Sequence, residues 1–507
     1  MAHDSSINTI DSSLLIGLFA SLGSFLFGYD LGVIGGAVAS DAFVNTFHNP
    51  AANEIGAVVS IFTGGAFFGA LVAGMTTNRL GRRKTIILGA LIFCIGGALQ
   101  TSAQNLGYLY GGRCIAGLGV GILVMIIPLY QAEIAHPSIR GRLTGLQQLF
   151  IGLGATTAAY TTYGTTKNFA GTKNDQWRVP LGVQIIPAGI LAALILLFPE
   201  SPRWLMDHHQ HDKALHTLAK LHAAGDVTDT WVVAEYEQIK AAIQDEEENG
   251  ASSLAELFKD KACFRRLVLV AALQAGCQMT GVSAIQYFAP DIYKQVGVDT
   301  SQALLYQGIS YIWGIAGQIS TVLFIDRIGR RWPLILGNLA CASSFIVTAA
   351  VIARFPHVGP STQHSLLWLF LVFGWIFQFA FSMTCGSLTW VIPSEIFDTK
   401  TRAYGVSIGC LVSFAFNTMI GQITAPAIET SGWRYFLLFV ICNVTNAIFF
   451  WAFLPETKGV PLEEMNRLFR ETGWFVPGQT RSYQTELAVT EAEIAEKGAM
   501  AQHREVA

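Results

Sequence analysis

The sequence predicts an all-α membrane protein, twelve transmembrane helices in two pseudo-symmetric six-helix bundles, and three observations carry that expectation. The 507-residue chain is 52% hydrophobic and only 13% charged, about half the charge of an ordinary soluble domain. Apolar runs long enough for a bilayer, roughly 20 residues each, recur along most of its length. Polar motifs at the ends of those runs then occur twice, at a nearly constant offset. The first observation excludes a soluble multidomain enzyme. With 35 acidic and 32 basic residues the net charge is −3, and no basic block stands out, which excludes nucleic acid as a partner. Seven of the eight cysteines lie inside apolar runs and none forms a Cys-x-x-Cys pair, so they read as small core residues, neither bridges nor metal ligands.

Taken in order, the runs cover 14–37, 56–76, 86–103, 107–131, 143–163, 179–198, 267–288, 303–325, 333–352, 366–392, 403–428 and 435–454. Hydrocarbon offers no partner to an unpaired peptide group, so each run is a helix. The polar segment 1–13 lacks a basic residue and a cleavage site, and reads as a retained cytosolic leader, not as a signal peptide. Runs 14–198 form the first bundle. Hydropathy collapses over 199–266, a His-, Lys- and Glu-rich stretch read as a cytosolic linker with amphipathic helices at 213–222 and 232–243. The second bundle is 267–454, followed by a cytosolic tail, 455–507, with a helical stretch near 486–497.

Orientation follows from the short loops. Eleven Lys/Arg follow spans 2, 4, 8 and 10, against six in the opposite set (Lys167, Lys173, Arg178, Lys294, Arg354 and Arg434), which places both termini in the cytosol. Asn78-Arg79-Leu80-Gly81-Arg82-Arg83 recurs as Asp326-Arg327-Ile328-Gly329-Arg330-Arg331, an offset of 248. Glu133 with Arg140 recurs as Glu395 with Arg402 at 262, and Trp177-Arg178 and Pro199-Glu200 recur as Trp433-Arg434 and Pro455-Glu456 at 256. Such order implies a duplicated six-helix unit with a binding site between the halves near mid-membrane.

These residues resemble the sugar porter family of the major facilitator superfamily, most of all its fungal members. The resemblance covers roughly 14–461 and is carried by Phe27-Gly28-Tyr29-Asp30, by Pro199-Glu200-Ser201-Pro202-Arg203-Trp204, by Gly-Arg-Arg in both halves and by Pro455-Glu456-Thr457-Lys458-Gly459. It implies alternating-access monosaccharide transport, as a sugar:proton symporter, with a small-molecule sugar, protons and the bilayer as partners and no cofactor or metal. It also implies the plasma membrane as the location. A passive sugar facilitator and a transporter-like nutrient sensor are the alternatives. Which sugar is carried, and the oligomeric state, are left open.

Asp30 is the most informative residue. A carboxylate inside a span costs about 2.5–3.5 kcal/mol on insertion scales and is normally retained for pairing or proton transfer. Arg113 of span 4 is the strong cation within the membrane interior, and the resemblance assigns proton coupling to this pair. A carboxylate that alternates between a paired and an unpaired dry site changes its proton affinity.

The basic turns suggest a gating latch on the cytosolic side. Arg79, Arg82, Arg83, Glu133, Arg142, Glu200 and Arg203 form one set, and Arg327, Arg330, Arg331, Glu395, Arg402 and Glu456 its counterpart. Charge-assisted pairs among them and with helix ends would hold the bundles closed. Asn78 stands where the family carries Asp, removing one acceptor charge.

A sugar site needs neutral hydrogen-bonding groups and an aromatic face. Gln148, Gln278 and Trp390 match family positions that contact sugar, with Gln286, Tyr287 and Tyr311 as further candidates facing the cavity. Ser283, Ser413 and Phe414 occupy family sugar positions with altered side chains. Four amides of the family pattern are replaced, by Cys277, Ser283, Gly314 and Ser413. Unpaired sugar hydroxyls cost about 1–3 kcal/mol each, so a pentose, deoxy-hexose, polyol or uronic acid fits as well as glucose or better. No catalytic site is expected: neither a P-loop nor a His-Glu-x-x-His occurs in the sequence.

Overall fold

The computed structural model describes residues 15–135, 140–169, 173–248, 256–397, 399–458 and 462–477. Among these, the ordered elements are helices, with no strand. Eleven helices are long and apolar enough to cross a bilayer: span 1 (Leu15–Val38), span 2 (Ala52–Leu80), span 3 (Arg82–Thr101), span 4 (Leu106–Ile134), span 6 (Asp175–Leu197), span 7 (Lys261–Lys294), span 8 (Thr300–Ile325), span 9 (Arg331–His357), span 10 (Pro360–Ile396), span 11 (Tyr404–Ser431) and span 12 (Arg434–Phe453). Span 5 is the helix Arg140–Asn168, more polar because Thr, Gln and Gly interrupt its apolar residues. Its hydroxyls bond their own helix: Thr156 donates to Gly152 O and Thr162 to Ala158 O, both at 2.8 Å. A threonine satisfied on its own backbone is tolerable in an apolar setting.

Several helices outrun the apolar stretches that announce them, because a helix continues until its backbone is capped. Asn105 Oδ1 accepts from Tyr108 N at 2.8 Å to start span 4, and Asp299 Oδ2 accepts from Ser301 N at 3.0 Å to start span 8.

The duplication is visible in the packing. In the first half spans 1 and 5, 2 and 4, 3 and 4, and 3 and 6 pack together; in the second, spans 7 and 11, 8 and 10, 9 and 10, and 9 and 12 repeat the same four pairings. The halves meet along spans 2 and 11, 5 and 8, and 1 and 7.

Spans 7 and 10 depart from regular α-helix at points that matter for the polar groups. Span 7 consists of Lys261–Met279 and Val282–Lys294, separated at Thr280 and Gly281. The Thr280 carbonyl freed there accepts from Asn443 Nδ2 of span 12 at 3.1 Å, which supplies the partner that lipid cannot. Span 10 carries a π-helical turn over Ser382–Gly386, a device that re-aims side chains and recurs at functional sites.

Between spans 6 and 7 lie Pro202–Asp207, His211–His222, Thr230–Glu248 and Glu256–Lys259; two of these extend the helices expected at 213–222 and 232–243. Beyond span 12, Leu462–Glu471 docks on the start of span 7, with Arg265 and Arg266 over the Phe469 ring at 5.2 and 5.0 Å. The expected leader at 1–13 and the stretch near 486–497 lie outside the described residues.

Candidate functional site

Asp30 lies within span 1, and its carboxylate meets Arg113 of span 4, with Nη1 donating to Oδ1 at 2.5 Å and both side chains fully buried. The guanidinium is fixed from two more helices. Its Nε donates to Val58 O at 2.8 Å, its face lies 4.3 Å from the Phe62 ring centroid, and Gln100 Oε1 accepts from Nη1 at 3.4 Å. Four spans thus converge on one ion pair. Desolvating two charges is expensive, and such a pair is compensated only when further polar groups complete it. Completion is partial here: Asp30 Oδ2 and Arg113 Nη2 have no hydrogen-bond partner among the described residues.

A second polar cluster sits between spans 7 and 11. Gln278 Nε2 donates to Ser413 Oγ at 3.0 Å, while Gln278 Oε1 accepts from Ser283 Oγ at 2.7 Å and from Asn417 Nδ2 at 3.2 Å. Asn417 Oδ1 in turn accepts from Tyr287 OH at 3.1 Å. Three expected sugar residues are thus brought together with Tyr287, another expected candidate. Asn417, absent from the expectation, follows Ser413 by four residues, one turn along the same helix face. An amide lost at Ser413 is therefore matched by one at Asn417.

Gln148 belongs elsewhere. It lines a cleft between the bundles with Gln286, Tyr311, Gly314, Gln318 and Gln378. Of these, Gln318 and Gln378 were not anticipated. Phe414 packs edge-on against Phe27 of span 1 at 6.1 Å, across the boundary between halves, and Trp390 is half-buried against the apolar core.

At the basic end the two halves repeat each other atom for atom. Arg82 N donates to Glu200 Oε1 and Arg330 N to Glu456 Oε1, each at 2.9 Å. Arg82 grips Glu133 through Nε and Nη2, both at 2.7 Å, and Arg330 grips Glu395 at 3.2 and 2.8 Å. The preceding glycines make room: a Cβ on Gly81 (φ 88°) would stand 2.6 Å from Glu200 Oε2, and one on Gly329 (φ 93°) 2.7 Å from Glu456 Oε2. Arg83 Nη1 donates to Phe198 O at 3.1 Å, and Arg331 Nη2 to Val476 O at 2.8 Å. Arg402 donates to Phe397 O at 3.3 Å. Arg79 and Arg327 are exposed, Arg203 is half-buried, and the Arg142 side chain lies outside the described residues. The Asn78 carbonyl, at the position that departs from the family, accepts from Trp204 Nε1 at 2.9 Å. All these pairs stay within one half of the chain, whereas the latch was expected to act between bundles.

The hydrogen bonds between spans 2 and 11, which join the bundles, lie toward the opposite end. Ser60 Oγ donates to Gln422 Oε1 at 2.6 Å and Thr63 Oγ1 shares a hydrogen bond with Thr418 Oγ1 at 2.8 Å. Among the described residues no group of three His, Cys, Asp or Glu is placed to hold a metal ion.

The family described as "Sugar (and other) transporter" matches residues 16–469. The MFS-type transporter criB of Aspergillus cristatus is 33% identical over 90% of this chain and 93% of its own length. The MFS glucose transporter mfs1 of Aspergillus flavus is 31% identical over 89% and 88%. Among solved structures, the proton:xylose symporter XylE bound to 6-bromo-6-deoxy-D-glucose superposes with a TM-score of 0.75 at 26% identity, over 92% of this chain and all of that one.

Proposed function

The chain belongs to the sugar porter family of the major facilitator superfamily, and on that premise we propose that it is a monosaccharide:proton symporter of the plasma membrane, with its basic end and both termini in the cytosol. The single observation that carries the proton is the buried Asp30–Arg113 pair, whose second carboxylate oxygen has no partner among the described residues. When the pair opens, Asp30 is the group that takes up a proton; when it closes, Arg113 displaces it. The inter-bundle contacts away from the basic end then correspond to a state closed to the outside. Relatives named for glucose and for xylose with protons support a neutral sugar as cargo.

The deciding experiment is uptake of labelled monosaccharides in a hexose-transport-deficient yeast, with and without a protonophore. Concentrative uptake that the protonophore abolishes is expected. Equilibrating uptake indifferent to the protonophore would make the protein a facilitator, and signalling without uptake a sensor.

Gln278 gathers the cluster of spans 7 and 11, so Gln278→Ala removes hydrogen bonds worth about 0.5–1.5 kcal/mol net each. The apparent KM for sugar should rise about tenfold with unchanged protein in the membrane. Loss of protein with an unchanged KM would make the amide a tie between helices.

Arg330→Ala should slow transport several-fold without reordering the sugars that compete, because its partner Glu395 lies at the basic end and the cleft lies deeper. A changed order of competitors would place Arg330 in the sugar pathway.

A further inference from the structure

Two glutamines of the cleft have no counterpart among the residues the family pattern assigns to sugar. Gln318 follows Gly314 by one helical turn on span 8, and Gln378 approaches the same point from span 10. A Cβ on Gly314 would stand 3.0 Å from Gln378 Nε2 and 3.1 Å from Ser382 Oγ, so the space vacated by the missing side chain at Gly314 is taken by those groups. Across the cleft, a Cβ on Gly152 would stand 2.7 Å from Gln318 Oε1. The Gln318 amide therefore lies over a bare stretch of span 5, one turn beyond Gln148.

Gln318 is 7% exposed and Gln378 5%. Oε1 of Gln318 and Oε1 of Gln148 have no hydrogen-bond partner among the described residues. A buried amide oxygen left without a donor costs about 1–3 kcal/mol, and the cleft these two face is lined from five spans. Nothing in the packing requires it, since leucine would fill a similar volume without that cost.

We propose that Gln318 and Gln378, with Gln148, form a hydroxyl-binding subsite for a neutral polyhydroxylated ligand, extending from the position of Gly314 one helical turn toward the basic end. The inference rests on the transporter reading and specifies its cargo. The chemistry follows from the lining. Amide oxygens accept from hydroxyl donors, amide nitrogens donate to the neighbouring oxygen, and a vicinal diol presents both. Phe381, Ile151 and Leu31 supply apolar surface for the ring faces. No described lining residue is charged, so a carboxylate drawn into the cleft would be desolvated without a counter-ion. The subsite therefore disfavours uronic and other sugar acids.

The test measures inhibition constants for D-glucose, each of its monodeoxy analogues, D-xylose and D-glucuronate against uptake of the best labelled sugar. It compares the wild-type chain with Gln318→Leu and Gln318→Asn at matched membrane abundance. In Gln318→Leu the constant for the preferred parent sugar should rise about tenfold. It should stay within about twofold for the one or two deoxy analogues that already bind weakly to wild type. Gln318→Asn, with a shorter amide, should fall between. D-glucuronate should compete poorly throughout. A uniform rise across all analogues, or no rise, overturns the subsite while leaving sugar transport intact; effective competition by D-glucuronate overturns its neutral preference. A wild-type chain that moves no neutral sugar overturns both readings.

Discussion

Replacing Asp30 by Asn is expected to abolish accumulation of sugar against its gradient while leaving downhill movement through the same cleft. Asparagine is nearly isosteric and keeps an oxygen where Asp30 Oδ1 now accepts from Arg113 Nη1 at 2.5 Å, so the helices should assemble. What it lacks is a group that binds and releases a proton as Arg113 withdraws and returns. Asp30→Ala is expected to do worse, because removing one partner of a buried pair leaves an uncompensated charge and costs about 3–5 kcal/mol. Arg113 would retain only Val58 O, Gln100 and the Phe62 ring. Uptake with and without a protonophore, beside membrane abundance, separates the two effects. Protonophore-sensitive concentration by Asp30→Asn would remove Asp30 from the coupling mechanism.

Gly121→Val is expected to eliminate folded protein. Gly121 of span 4 lies so close to span 2 that a Cβ would stand 2.1 Å from Ala66 O, and its neighbour one turn back, Gly117, stands equally close to Phe62 O. A main-chain oxygen has no rotamer with which to give way. Overpacking ordinarily costs about 1–3 kcal/mol, and separating two helices to admit valine should exceed that range. Span 4 also carries Arg113, so any shift breaks the ion pair as well. Gly74→Val is the control: it is exposed, and nothing lies within 4 Å of its Cβ. Detergent-solubilised protein should give a monodisperse elution peak for Gly74→Val and little or none for Gly121→Val. Equal peaks would show that the close approach of spans 2 and 4 is dispensable.

The Asp30–Arg113 contact and the twin Gly-Arg-Arg turns were legible because each carries charge where charge is costly, and a charge in or beside an apolar run has few partners to choose from. Glu133 and Glu395 stood out through the repeat, Glu200 and Glu456 through the repeat and the family motifs together, and each meets an arginine or a backbone amide of its own half. The polar cleft was harder to read. Cys277, Ser283, Gly314 and Ser413 looked like losses of hydrogen-bonding capacity, yet Asn417 lies one turn from Ser413 and Gln318 one turn from Gly314. Counting amides position by position misses a group that moves along a helix face and still reaches the same space.

What the sequence determined by itself is the number of spans, their pairing into two related halves, and the identity of the membrane-buried charges. These follow from lipid, which penalises every unpaired peptide group and every bare charge one residue at a time. Span 5 shows the edge of that logic, since its threonines bond their own helix and blur its apolar signal. Only the tertiary structure decided which faces meet. The rotation of each helix is set by where small residues let backbones approach, and that placed Gln148 with Gln318 and Gln378, apart from the Gln278 cluster. It also joined the bundles at Ser60–Gln422 and Thr63–Thr418, away from the basic turns, a choice between alternate closures that no single helix encodes because it is a property of two bundles packed as units.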